Sequence, residues 1–153
     1  MNPHDEHALL ERAAQALRAH SLIVSVDAER VSATHGRSNA LLRVSKGRCR
    51  IDYAAAVKRR LTPSTLGAVV TQLRHPADAG EPPPLLLTDY VTLPLANQLR
   101  AREQPFADAA GNAYLEGGGL FVYVTGRKLD QKQIALRASK GFTTTRLKVL
   151  FAL

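Results

Sequence analysis

Tryptophan is absent, aromatic residues make up 5% of the 153 positions, and there is one cysteine, Cys49. Each shortage removes a class of explanation. One thiol allows no internal disulfide and no thiolate metal cluster. With so few rings, the core has to be assembled from Leu, Val, Ile and Ala, which a hydrophobic content of 45% supplies. The length is that of a single domain with a real core. No apolar run approaches the roughly 20 residues that cross a bilayer. The opening "MNPHDEHALLERAAQ" is acidic where a secretory signal is basic, and Glu11 and Arg12 interrupt its apolar stretch. The expectation is a cytoplasmic protein of bacterial type with no membrane partner.

Acidic residues are scarce in two places. Between Arg37 and Arg60 eight basic residues accompany one acid, Asp52. Between Arg127 and Lys148 seven accompany Asp130 alone. The rest of the chain is net acidic, so the net charge of +8 is gathered into two blocks. Segregated positive charge attracts polyanions and releases their counterions, which makes DNA the leading partner. The competing reading is a solvated basic face that only keeps the protein in solution.

Hydropathy patterning gives the elements. Asn2 and Pro3, with Asp5 and Glu6 behind them, open a helix whose apolar stripe is Leu9, Leu10, Ala13, Ala14 and Leu17. "SLIVSVD" (21–27), "NALLRVS" and "CRIDYAAAV" read as strands, the last two joined by a hairpin turn at Lys46-Gly47. Alternation puts Asp52, Ala54, Ala56 and Lys58 on one face of the third strand, and Ile51, Tyr53, Ala55 and Val57 on the other. Thr62-Pro63 starts a helix with Leu66, Val69, Val70 and Leu73 inward, and "HPADAGEPPP" (75–84) is a stiff connection. "LLLTDYV" (85–91) suits a strand buried on both faces. Thr92 caps a helix with Leu95, Ala96 and Leu99 facing in. Short strands follow, broken by glycines 117–119 before "LFVYVT". The order predicts an α/β fold with a restriction-endonuclease-like αβββαβ core: a mixed sheet with helices on both faces, over residues 1–140. Residues 141–153 form a tail.

Such a core carries nuclease chemistry when carboxylates hold a divalent ion beside a lysine. Lys58 stands where that lysine belongs, but Ala56 occupies the position of the carboxylate two residues earlier. Arg43 lies where an acid would be sought on the preceding strand. Asp52 is six residues from Lys58, about 20 Å along a strand, which is too far to share a metal. Asp27 and Glu29 on the first strand are the remaining sources. The expectation is no catalysis, no metal and no cofactor, with a relocated-carboxylate nuclease using Asp52 or Asp27 with Lys58 as the alternative.

Other constellations are weaker. His4 and His7 have helical i, i+3 spacing at an exposed terminus. "GGGL" (117–120) lacks the lysine and hydroxyl of a phosphate-binding loop. Cys49 lies between Arg48 and Arg50, and a half-buried strand cysteine is the plainer reading. "DAAGNAYLE" (108–116) has two readings: a tight turn at Gly111-Asn112, or a polar site formed by Asp108 and Asn112.

The segment around that phrase carries a resemblance. Tyr90-Val91 ends a strand, Leu95, Ala96 and Leu99 lie on a helix, and Pro105-Phe106 precedes Asp108-Ala109, Gly111-Asn112 and Tyr114-Leu115. A strand then ends in Gly126-Arg127. Over roughly 45 residues this resembles the AbiEi-type antitoxin and transcriptional-regulator family of type IV toxin–antitoxin systems. The resemblance implies a repressor of its own operon that opposes a nucleotidyltransferase-like toxin, with a nuclease-like fold and no nuclease activity. "RLKVLFAL" (146–153) resembles the lead-in to the winged helix such proteins carry next, and the expectation is that the winged helix itself is absent from these residues or was removed. DNA-backbone contacts are therefore expected from Arg48, Arg50, Lys58, Arg59, Arg60, Arg127 and Lys128. Homodimerisation or another protein interaction is the third reading.

Overall fold

Leu9, Leu10, Ala13, Ala14 and Leu17 form the buried stripe of helix α1 (Pro3–Arg18), which has Asp5 and Glu6 in its first turn and Arg18 in its last. The structure, a computed structural model, describes residues 3–27, 40–73 and 82–129. The expected cap Asn2, Glu29, Arg37, the connection at 75–81 and everything from Asp130 onward lie outside the described residues. No helix among the described residues is long and apolar enough to cross a membrane.

Strands β1 (Ile23–Asp27), β2 (Ala40–Lys46) and β3 (Cys49–Lys58) form an antiparallel meander. The β2–β3 turn uses Gly47 at φ +61°, a conformation that costs a side-chain-bearing residue roughly 1 kcal/mol. Helix α2 (Pro63–Leu73) then carries the chain over to β4 (Pro84–Thr88), which pairs with β3 in parallel. Thr62 and Thr65 cap α2 reciprocally: Thr65 N–H donates to Thr62 Oγ1 at 3.3 Å, and Thr62 N–H to Thr65 Oγ1 at 3.1 Å. Helix α3 (Leu93–Ala101), capped by Thr92, leads to β5 (Phe106–Asp108), parallel to β4. Strands β6 (Ala113–Gly117) and β7 (Leu120–Val124) complete a seven-stranded mixed sheet whose spatial order follows the chain.

Both faces of the sheet centre are covered. Leu85 and Leu87 of β4 pack with α1, while Leu86 packs with α2 and α3. The apolar run 85–87 is thus buried on both sides, as a central parallel strand requires. Alternation in β3 follows the expected faces, with Tyr53 and Ala55 fully buried in the α1 layer. Beyond β5 the sheet curls around α1 until the β6–β7 turn meets the start of β3. Gly118, at φ +56°, lies so close to the Arg50 carbonyl that a Cβ would collide with it, and a Cβ on Gly117 would strike Ile51. The glycine break at 117–119 therefore closes the curl.

Tyr53 sets a pH limit on this core. Burial pushes its hydroxyl up to about 12, and the Glu116 backbone, which opposes the shift, lies outside hydrogen-bonding geometry. Neutral tyrosine is favoured in the folded state. Its contribution is therefore complete below the unfolded value near 10 and fades as pH rises towards 12, by about 3 kcal/mol. Tyr53→Phe should match or exceed the parent by about 1 kcal/mol at pH 8, because it removes a buried hydroxyl without a partner. Its advantage should grow between pH 10 and 12 in urea denaturation; parallel pH profiles would contradict this.

Candidate functional site

The parallel strands β3, β4 and β5 end together. Lys58 is in register with Thr88, and Thr88 with Asp108. Thr88 and Asp108 are fully buried, so a polar row closes one end of the otherwise apolar central strands β4 and β5. Asp108 is the centre of it. Its Oδ1 accepts the N–H groups of Ala110, Gly111 and Asn112 at 2.9, 2.9 and 2.8 Å. Its Oδ2 accepts Val91 N–H at 2.8 Å and Asn112 Nδ2 at 2.7 Å. Burial raises the Asp108 carboxyl above its ordinary range, and these donors pull the other way.

Asn112 extends the junction. Its Nδ2 also donates to the Arg127 carbonyl at 3.0 Å, and its Oδ1 accepts Arg127 N–H at 2.8 Å. An aspartate at 112 would supply neither donor and would face Asp108. His20, from the end of α1, contacts the Gly111 carbonyl through Nε2 at 2.8 Å. Asp108 and Asn112 are thus turned inward, bonded to backbone groups and to each other. Three pieces of sequence, Tyr90-Val91, Asp108 to Asn112 and Gly126-Arg127, meet at one point.

No family model, no curated protein and no solved structure matches the chain. The residues themselves have to carry the functional reading.

That junction gathers five of the seven expected basic contacts. Asp89 N–H donates to the Arg59 carbonyl at 3.3 Å, and Ala109 N–H to the Asp89 carbonyl at 3.2 Å. The segment holding Lys58, Arg59 and Arg60 is thereby tied to the turn that holds Arg127 and Lys128. Arg60, Arg127 and Lys128 are exposed; Lys58 and Arg59 are half-buried. Among the described residues, none of these five has a carboxylate partner. Arg48 and Arg50, also exposed, lie elsewhere. They flank the β2–β3 turn at the opposite end of β3, about 26 Å from Lys58 for the eight steps from Arg50. Cys49 is half-buried beside Gly119, in line with a strand cysteine.

The acids of the nuclease alternative sit apart from Lys58. Asp52 lies opposite Arg43 in the β2–β3 register and accepts its Nε at 2.9 Å and Nη2 at 3.2 Å. This pairing raises the Arg43 guanidinium above its usual value. Asp27 lines a hollow of about 180 Å³ with Ser25, Leu41 and Arg43. It is two strands across and four residues back from Lys58, roughly 16 Å between Cα atoms. Ala56 is buried. Among the described residues no three His, Cys, Asp or Glu side chains converge to hold a metal ion.

Sequence reasoning missed His20 and Thr88. A contact spanning 91 positions leaves no local signal, and Thr88 was hidden in an apolar run. Asp108→Asn should destabilise the fold by about 2–4 kcal/mol, since an amide offers one acceptor oxygen and turns its NH2 against N–H donors. Urea unfolding would measure this; a change within about 0.5 kcal/mol, the range of an ordinary surface substitution, would contradict it.

Proposed function

We propose that this chain is a non-catalytic, DNA-associated regulatory domain built on a restriction-endonuclease-like core. The observation that carries the reading is the convergence of Lys58, Arg59, Arg60, Arg127 and Lys128, none with a carboxylate partner among the described residues, at the carboxyl ends of β3, β4 and β5. Arg59 and Arg127, whose main chains are held by hydrogen bonds, and the adjoining Lys58, Arg60 and Lys128 suit phosphate contact, which positions a duplex without reading its sequence. The absence of an acid two residues before Lys58, where Ala56 is buried, favours binding over cleavage.

The element order and the resemblance to AbiEi-type antitoxins support a regulatory role, with a nucleotidyltransferase-like toxin as the protein partner. In that role the domain grips the DNA backbone while operator recognition belongs to a winged helix.

Anisotropy of labelled duplexes tests this, using the gene's own upstream region and a scrambled sequence in Mg²⁺ buffer, with end points run on a gel. Binding should be equal for both sequences, steeply salt-dependent and without cleavage. Replacing Lys58, Arg59 and Arg60 with Ala should weaken both duplexes alike and reduce the log–log salt slope by about 3, near 0.9 per phosphate contact. Loss confined to one sequence would contradict backbone contact, and Mg²⁺-dependent cutting abolished by Lys58→Ala would favour the nuclease instead.

A further inference from the structure

Tyr90 stands two residues beyond the end of β4, in the middle of the basic junction. Strand β4 lies between β3 and β5 in the sheet, so the chain leaving it emerges between the segment of Lys58, Arg59 and Arg60 and the turn that anchors Arg127 and Lys128. Both neighbours of Tyr90 are held there. Asp89 N–H donates to the Arg59 carbonyl, and Val91 N–H to Asp108 Oδ2. Thr88 is the register partner of Lys58, so Tyr90 and Lys58 are rooted within about 12 Å of each other. Tyr90 is half-buried, and among the described residues its side chain makes no hydrogen bond and no aromatic contact. The other described rings are occupied elsewhere. Tyr53 and Phe106 are fully buried, and Tyr114, Phe121 and Tyr123 form an edge-to-face cluster across β6 and β7. The two acids of the junction, Asp89 and Asp108, are buried.

We infer that Tyr90 is a base-stacking residue: the junction takes nucleic acid that carries an unpaired base, with the base on the Tyr90 ring and its flanking phosphates on the surrounding cations. This inference rests on the DNA-binding reading above and adds the form of the nucleic acid and the residue that recognises it. Inside a duplex each base face is covered by its neighbours, so a single ring reaches one only where pairing is interrupted. Cations around an aromatic ring suit a single strand, because the charges follow the backbone and the ring accepts any base. Here the ring stands on main chain fixed at both sides, which lowers the ordering cost of stacking. The first turns of α2 and α3 open at this same end without an acidic residue, and their dipoles add to the positive field. Continuous duplex rests its phosphates on the same cations but leaves the ring unused.

The discriminating probe is a base without its partner. Anisotropy titrations would compare a blunt duplex, the same duplex with a short single-stranded tail at either end, and that tail rebuilt with its phosphates but no bases. The parent should bind the base-bearing tail roughly tenfold more tightly than the abasic one, within the range of one stacked base. Tyr90→Ala and Tyr90→Leu should erase that preference, leave the blunt duplex unaffected and keep the salt slope, since no phosphate contact is lost. Tyr90→Phe should retain the preference, which assigns it to the ring. The chain has no tryptophan, so Tyr90→Trp supplies a single reporter whose emission should fall on adding the base-bearing tail and not the abasic one. Equal binding of the two tails by the parent, or a preference that survives Tyr90→Ala, would overturn the stacking role while leaving backbone binding intact. A loss spread evenly over all probes in both Tyr90→Ala and Tyr90→Leu would make Tyr90 a structural residue and overturn it as well. Failure of the parent to bind any probe would overturn the functional reading itself.

Discussion

The buried carboxylate of Asp108 is the constraint on which the junction at the ends of β3, β4 and β5 depends. A carboxylate out of water costs several kcal/mol, and only close, numerous donors offset that. Here five N–H groups supply them, from Val91, Ala110, Gly111, Asn112 and the Asn112 side chain. No single neighbour in sequence provides them all. The fold must bring the loop after β4 and the turn after β5 to the same point, and Asp108 is satisfied only when it does. Asn112 then hands the arrangement on to the chain leaving β7 by clasping both backbone groups of Arg127.

This junction gives the basic residues their placement. Cations in a solvated loop lose affinity to the entropy of ordering them, whereas Arg59 and Arg127 have their main chains fixed by hydrogen bonds that lead back to the Asp108 turn. Among the described residues no carboxylate pairs with either side chain. The contrast with Arg43 is instructive: it sits on the same sheet, but the carboxylate directly across the ladder occupies it. Charge counts alone treat these arginines alike, and the register separates them.

Much of the fold was readable in the sequence because its causes are local. Thr92 before Leu93-Pro94, the turn at Lys46-Gly47 and the period-two pattern through Tyr53 and Ala55 each determine an element from a few neighbouring residues. The parts that were hidden depend on distant partners. The run 85–91 looks like one strand, yet β4 stops at Thr88 because Val91 gives its N–H to Asp108, 17 positions away, instead of to a ladder. The curl that seats the 117–119 glycines on Arg50 and Ile51 has no periodicity to announce it. The basic block from Arg48 to Arg60 reads as one patch in sequence. A ten-residue strand divides it between two ends of the sheet.

Native-state hydrogen exchange tests the central claim most directly. Val91, Gly111, Asn112 and Arg127 lie in turns and connections, where amides ordinarily exchange fast. If the Asp108–Asn112 junction holds this end together, their amides should open only with the core, as slowly as Leu86 and Leu87 of β4. Exchange at the rate of an unprotected turn amide such as Gly47 would show that the junction does not constrain the strand ends, and the placement of the basic residues would need another cause.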